Sequence, residues 1–148
     1  MKHSNWGAAV TLWANRAIAL LVGALLFVMP ALLAWYRTVR QLSDGEGKAI
    51  LYGFYACAGV ILLALWQMDR LLLSIGRGAV FIPENVRRIR NIRLCCLLVG
   101  LICVPVALVY YPLLFIVLIM GFLSLVVGVV QQTMAAAVAI REENDLTI

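Results

Sequence analysis

Acidic residues and histidine are scarce in this chain. Seven Asp and Glu and one His stand among 148 residues. The one histidine is His3, beside a terminus, where side chains are seldom held in fixed geometry. None of the seven acids falls inside an apolar run. Charges inside a membrane span are the usual marks of proton relays and ion paths, so this lack argues against a coupled transporter or an intramembrane enzyme. The nucleophile elbow Gly-x-Ser-x-Gly, the zinc motif His-Glu-x-x-His and a Walker loop are also missing. No catalytic, cofactor or metal site is expected, and the chain reads as non-enzymatic. Cysteine is present without a pattern: Cys57, Cys95, Cys96 and Cys103 have no neighbouring His and no Cys-x-x-Cys spacing. They read as small apolar packing residues, with acylation of the juxtamembrane pair Cys95–Cys96 as the alternative.

Charge of either sign is sparse. Only 13% of residues are charged and 65% are hydrophobic, with a mean hydropathy of +1.02. Soluble domains run near ~25% charged and ~45–50% apolar. A soluble fold of this size keeps too much of its area in water to hide so many apolar side chains. A bilayer removes that constraint, so the whole chain reads as one membrane domain, 1–148. Four apolar runs, at about 17–36, 49–68, 94–110 and 113–131, each approach the ~20 residues that cross a ~30 Å hydrocarbon core. The first run is too long for a signal-peptide core and ends in Trp35, Tyr36 and Arg37, which resemble an interfacial anchor. It is expected to be a permanent span, preceded by a weakly amphipathic stretch with Trp6 and Trp13. The expected fold is all-α, an integral membrane four-helix bundle.

Residues 37–48 read as a short polar loop. Residues 69–93 read as a structured basic loop, with Arg70, Arg77, Arg87, Arg88, Arg90 and Arg93 against Asp69 and Glu84. Gly76 and Gly78 break the helix leaving the second run. Pro83 suits a first helical turn and Glu84 suits its positive end, so a helix is expected from Pro83 into the third run. Residues 132–148 read as a tail. Assigning Lys and Arg by side gives nine with the termini and middle loop against three (Arg37, Arg40, Lys48) on the other side. The positive-inside rule then puts both termini and the middle loop in the cytoplasm.

Small residues recur at helical spacing. Gly121, Ser124 and Gly128 share one face of the fourth run and permit close packing, either within the bundle or in a homo-oligomer. Gln131, Gln132 and Thr133 are expected to mark the exit of that run from the membrane, beyond which it is expected to continue as an exposed helix through residues 134–140.

Two motifs carry a family resemblance. The stretch from Gly78 to Ile92, Gly-Ala-Val-Phe-Ile-Pro-Glu-Asn-Val-Arg-Arg-Ile-Arg-Asn-Ile, resembles a Gly-x-x-Phe-Thr-x-Glu-Asn-x-x-x-Leu-Arg-x-Ile pattern. The ending from Arg141 to Ile148, Arg-Glu-Glu-Asn-Asp-Leu-Thr-Ile, resembles a Glu-x-Asp-Leu-Thr-Ile terminus. Both are similar to the bacterial membrane family catalogued as domain of unknown function 2975. Ile82 departs from the pattern, since the family carries a small polar residue there, and the helix cap it would supply is absent. The resemblance implies four spans in the bacterial inner membrane. Many members are encoded beside a small helix-turn-helix regulator, which implies a membrane anchor or sensor for a transcription factor.

The function expected is therefore binding of a cytoplasmic partner, a helix-turn-helix regulator, at the inner face of the membrane. Membrane lipids and a second copy of the chain are the other partners; direct contact with nucleic acid is not expected. The candidate partner or tail-docking residues are Arg77, Phe81, Asn85, Arg87, Arg88 and Arg90 in the loop, and Glu142, Glu143, Asn144, Asp145, Leu146, Thr147 and Ile148 in the tail. The tail is expected either to dock, with Leu146 and Ile148 covering Phe81 and Ile89, or to swap onto a neighbouring subunit or a partner. Two other readings stand beside this one: an oligomeric pore or permease-like protein, and a structural, immunity or stress-protection protein.

Overall fold

The structure is a computed structural model and describes residues 4–147. Among the described residues the chain is all-helical, with no strand. Helix α1 runs Ser4–Arg40, α2 Asp44–Gly76, α3 Pro83–Val109 and α4 Leu114–Leu146. A single 3₁₀ turn, Tyr111–Leu113, joins α3 to α4 around Pro112. All four helices are long and apolar enough to cross a membrane. They have between 27 and 37 residues and extend past their apolar runs, α1 and α2 at both ends, α3 at its start and α4 at its finish. At ~1.5 Å per residue they measure roughly 40 to roughly 55 Å, well beyond a ~30 Å hydrocarbon core.

The loops are correspondingly shorter than expected. The polar segment 37–48 shrinks to Gln41–Ser43, because Ser43 starts α2 early. Its hydroxyl accepts from the Glu46 N–H at 3.3 Å, while the Glu46 carboxylate accepts from the Ser43 N–H at 2.8 Å. This reciprocal capping box satisfies two N–H groups that the helix leaves without partners. Asp44 and Glu46 add favourable charge to the first turn. The middle segment 69–93 likewise reduces to Arg77–Ile82, with α3 beginning at Pro83.

Each helix packs on its neighbours in sequence: α1 on α2, α2 on α3, and α3 on α4. The helices therefore form an open row rather than a closed ring, with α2 and α3 as its inner members and α3 the more buried of them. On α3 the buried residues Asn85, Ile89, Ile92, Cys95, Val99, Cys103 and Val106 recur at spacings of three and four, with Gly100 and Ala107 buried beside them, the stripe that faces packed neighbours. Two apolar clusters sit along that stripe. One joins Cys57 to Val99 and Cys103; the other joins Leu71 to Ile89 and Ile92, with Val127 and Met134 of α4 against it. The cysteines are free thiols, and Cys57 and Cys103 touch, their sulfurs 3.6 Å apart.

Helix α1 buries little apolar area and is fastened to α2 by polar bonds. The Asn15 amide donates to the Leu65 carbonyl at 3.0 Å, and Arg16 pairs with Asp69 at 3.0 Å. Pro30 has no N–H, so the Leu26 carbonyl loses its donor one turn on. The Tyr55 hydroxyl of α2 supplies it, at 3.0 Å. This is the repair that lets a proline sit in an apolar helix. Of the small residues on α4, Ser124 and Gly128 are buried against α3, and a Cβ on Gly128 would lie 3.1 Å from Cζ of Arg93. Gly121 is exposed, with nothing within 4 Å of a Cβ placed there, and so does not pack inside this chain's bundle.

Candidate functional site at the α2–α3 turn

Polar groups gather at the two ends of the row. One end holds Arg37 paired with Asp44, and the hydroxyls of Tyr36 and Tyr110 in contact. The other holds Arg16–Asp69, the arginines of α2 and α3, and the α2–α3 turn. The sequence motif Gly78–Ile92 lies at this second end.

The turn is built by its backbone. Gly78 adopts φ +82°. Glycine enters this left-handed conformation without strain, because it has no Cβ to clash. Its N–H donates to the Ile75 carbonyl at 2.9 Å, and the next N–H, of Ala79, reaches back to the Ser74 carbonyl at 3.1 Å. That pair of bonds is the Schellman ending of a helix. The Ser74 hydroxyl closes it a second time by donating to the Ala79 carbonyl at 3.0 Å.

Asn85 then locks the turn to α3. It is fully buried, at 0% exposure. Its amide donates to the carbonyls of Ala79 at 2.8 Å and Val80 at 3.0 Å, and its oxygen accepts from Arg88 at 3.0 Å. Ile82 stands at the N-cap and, as its side chain requires, makes no cap hydrogen bond. Asn85, in the first turn of α3, takes over the task of tying the helix start to the chain before it. Arg88 continues the network to Glu84 at 3.5 Å and to the Arg70 carbonyl at 3.5 Å.

The turn therefore presents a fixed surface. Phe81 is 46% exposed, and Arg77, Arg87 and Arg90 are exposed around it. Of the expected loop residues, the structure joins Asn85 and Arg88 in one network and leaves the other four outward-facing. The tail approaches in a different manner from the one expected. Helix α4 continues to Leu146, and Arg141 reaches the Phe81 carbonyl at 3.5 Å. Glu142, Glu143, Asn144, Asp145 and Thr147 are exposed, and the Thr147 hydroxyl turns back to the Glu143 carbonyl. Leu146 is 87% exposed and covers neither Phe81 nor Ile89; Ile89 is instead buried by Leu71 and Ile92. The physical reason is that the helix does not stop at the polar tail, so Leu146 is carried outward. Ile148 lies outside the described residues.

Ser74, Arg70 and Arg141 belong to this end of the molecule and were not among the candidate site residues. Ser74 stands four residues before Gly78, in the last turns of α2, where its hydroxyl reaches the carbonyl of the residue just past that glycine.

Four long apolar helices with polar groups at both ends mark a multi-pass helical membrane protein. A family model described as "Protein of unknown function (DUF2975)" matches residues 7–148, nearly the whole chain, and the chain belongs to that family. No curated protein and no solved structure matches it.

Proposed function

We propose that this protein sits in the bacterial inner membrane as a four-span integral bundle, with both termini and the basic α2–α3 loop in the cytoplasm, and binds a cytoplasmic protein there without catalysing a reaction. The observation that carries this reading is the fully buried Asn85, which fixes the α2–α3 turn while Phe81, Arg77, Arg87 and Arg90 stay exposed. A surface ordered before binding loses less entropy on association than a floppy loop does. Exposed Arg and aromatic side chains are also the residue types that dominate binding energy at interfaces. The helix-turn-helix regulator is the partner class that the family resemblance implies. The tail, whose exposed acids lie at the end of α4, is the second element offered to it.

The test is copurification from native membranes in mild detergent, with helix-turn-helix proteins identified by mass spectrometry. The intact protein should retain such a partner. Arg87→Gln/Arg90→Gln, and a chain lacking residues 146–148, should insert normally and lose it. Equal recovery with all three chains would end this reading.

A further inference from the structure

A cavity at the α2–α3 end differs in character from those along the helices. It measures about 210 Å³ and lies between the last turns of α2 and the first turns of α3. Arg70, Leu73, Ser74 and Arg77 line it from α2 and its cap, at the spacings that put residues on one helix face. Glu84 and Arg88 line it from α3, one turn apart. Three guanidinium groups thus meet a single carboxylate.

Two of the three are held in place. The Arg70 guanidinium lies over the Trp66 ring, 5.6 Å from its centroid. At that distance the cation is attracted to the negative face of the ring. Arg88 is fixed by the Asn85 oxygen at 3.0 Å and by Glu84 at 3.5 Å. Arg77 is exposed and makes no ion pair among the described residues. The start of α3 adds the positive end of a helix dipole, and no side chain caps it. Trp66 closes the second apolar run and Arg70 follows it, the place where aromatic and basic residues meet lipid headgroups.

We propose that this cleft is a binding site for a phosphate group, carried by an anionic lipid headgroup or by a free phosphate. Planar guanidinium groups bind phosphate oxygens through paired, charge-assisted hydrogen bonds. Arg70 and Arg77 approach from α2 and Arg88 from α3, so one phosphate would bridge the two helices below the ordered turn. Glu84 is the opposing group: its carboxylate competes with the ligand for Arg88. The site shares Arg77 with the partner surface, but it rests only on the placement of this end at the headgroups.

The test uses the full-length protein in detergent micelles, with no partner protein present, so its failure and that of the partner reading are separable. Native mass spectrometry measures binding of dioleoyl phosphatidylglycerol, of dioleoyl phosphatidylcholine and of inorganic phosphate. Phosphatidylglycerol is expected to bind in preference to phosphatidylcholine. Arg70→Gln/Arg77→Gln should weaken it about ten-fold or more, the scale of losing one charge-assisted contact. Arg40→Gln/Lys48→Gln removes the same charge at the opposite end and should leave binding within about two-fold, since the effect sought is a contact and not net charge. Glu84→Gln should tighten binding, a change of sign that general damage to the fold does not produce. Inorganic phosphate binding with the same variant pattern, without phosphatidylglycerol preference, assigns the site to a free phosphate. Equal losses in the two double variants, no tightening in Glu84→Gln, or no binding of either phosphate probe would overturn the proposal.

Discussion

Replacing Asn85 with alanine removes the one side chain that ties the α2–α3 turn to α3. Three hydrogen bonds go with it, to Ala79, Val80 and Arg88. Two are neutral amide–carbonyl bonds, each worth about 0.5–1.5 kcal/mol net, and the one from a guanidinium is worth about 1.5–3 kcal/mol. The full sum overstates the loss. The Ala79 carbonyl keeps the Ser74 hydroxyl, and Arg88 keeps Glu84 and the Arg70 carbonyl. A loss of about 2–4 kcal/mol is expected, confined to Arg77–Ile82 because the helices on either side have their own packing. An opening free energy lowered by ~2 kcal/mol raises the open population roughly 30-fold. Trypsin added to the folded protein should then cut after Arg77 faster by about that factor, since cleavage tracks the open population when reclosing is fast. Hydrogen exchange at the Gly78 and Ala79 amides should accelerate in step, with the helical circular dichroism unchanged. Asn85→Asp sharpens the test. It keeps the shape and the acceptor for Arg88 but turns oxygen toward two carbonyls, so it should open the turn as well. If Asn85→Ala resists trypsin like the parent, the turn is held by its backbone bonds alone, and Asn85 does not preorganise the surface.

Three further outcomes follow from the fold. A membrane-impermeant maleimide applied outside intact cells should label Gly45→Cys and not Leu146→Cys; the reverse pattern would refute the orientation drawn from nine against three basic residues. Tyr55→Phe should lower stability in detergent by about 1 kcal/mol by stranding the Leu26 carbonyl. The same change in a Pro30→Ala background, where the helix restores that bond, should be nearly silent. At Gly53 an added Cβ would fall 2.8 Å from Cγ2 of Val106, whereas Gly121 has open space around it. Gly53→Ala should therefore destabilise by about 1–3 kcal/mol and Gly121→Ala should be neutral or slightly stabilising; equal melting temperatures would refute the α2–α3 approach.

The helices were legible because apolar runs of span length have few other uses, and α3 begins at the proline that the sequence marks as a helix start. Their ends were not. Capping at Ser43 and Gly78 extends helix into segments whose composition reads as loop, since polar residues are compatible with both. The pairing of side chains across helices was also hidden: nothing in the order of residues aligns Tyr55 with the carbonyl freed by Pro30. Asn85 was visible as a motif residue, but its role depends on two carbonyls brought under it by the left-handed Gly78. The tail's acids and its final leucine suggest docking by composition, but Leu146 does not dock on this chain's own loop. A helix that simply continues carries both into the open.

The row-like order of the helices bears on how the protein is made. Every helix–helix interface joins segments that leave the ribosome one after the other. Each loop to be closed is short, so little chain entropy opposes any single step. The α1–α2 hairpin can form, with its Asn15, Arg16 and Tyr55 bonds in place, while α3 is still in synthesis. Helix α3 then arrives to find one wall already standing, and α4 supplies the other. Contacts from an early segment to a late one, such as Tyr36 with Tyr110, form on top of these interfaces, so a stall or truncation after α2 leaves a paired hairpin rather than an unpartnered strand of apolar chain.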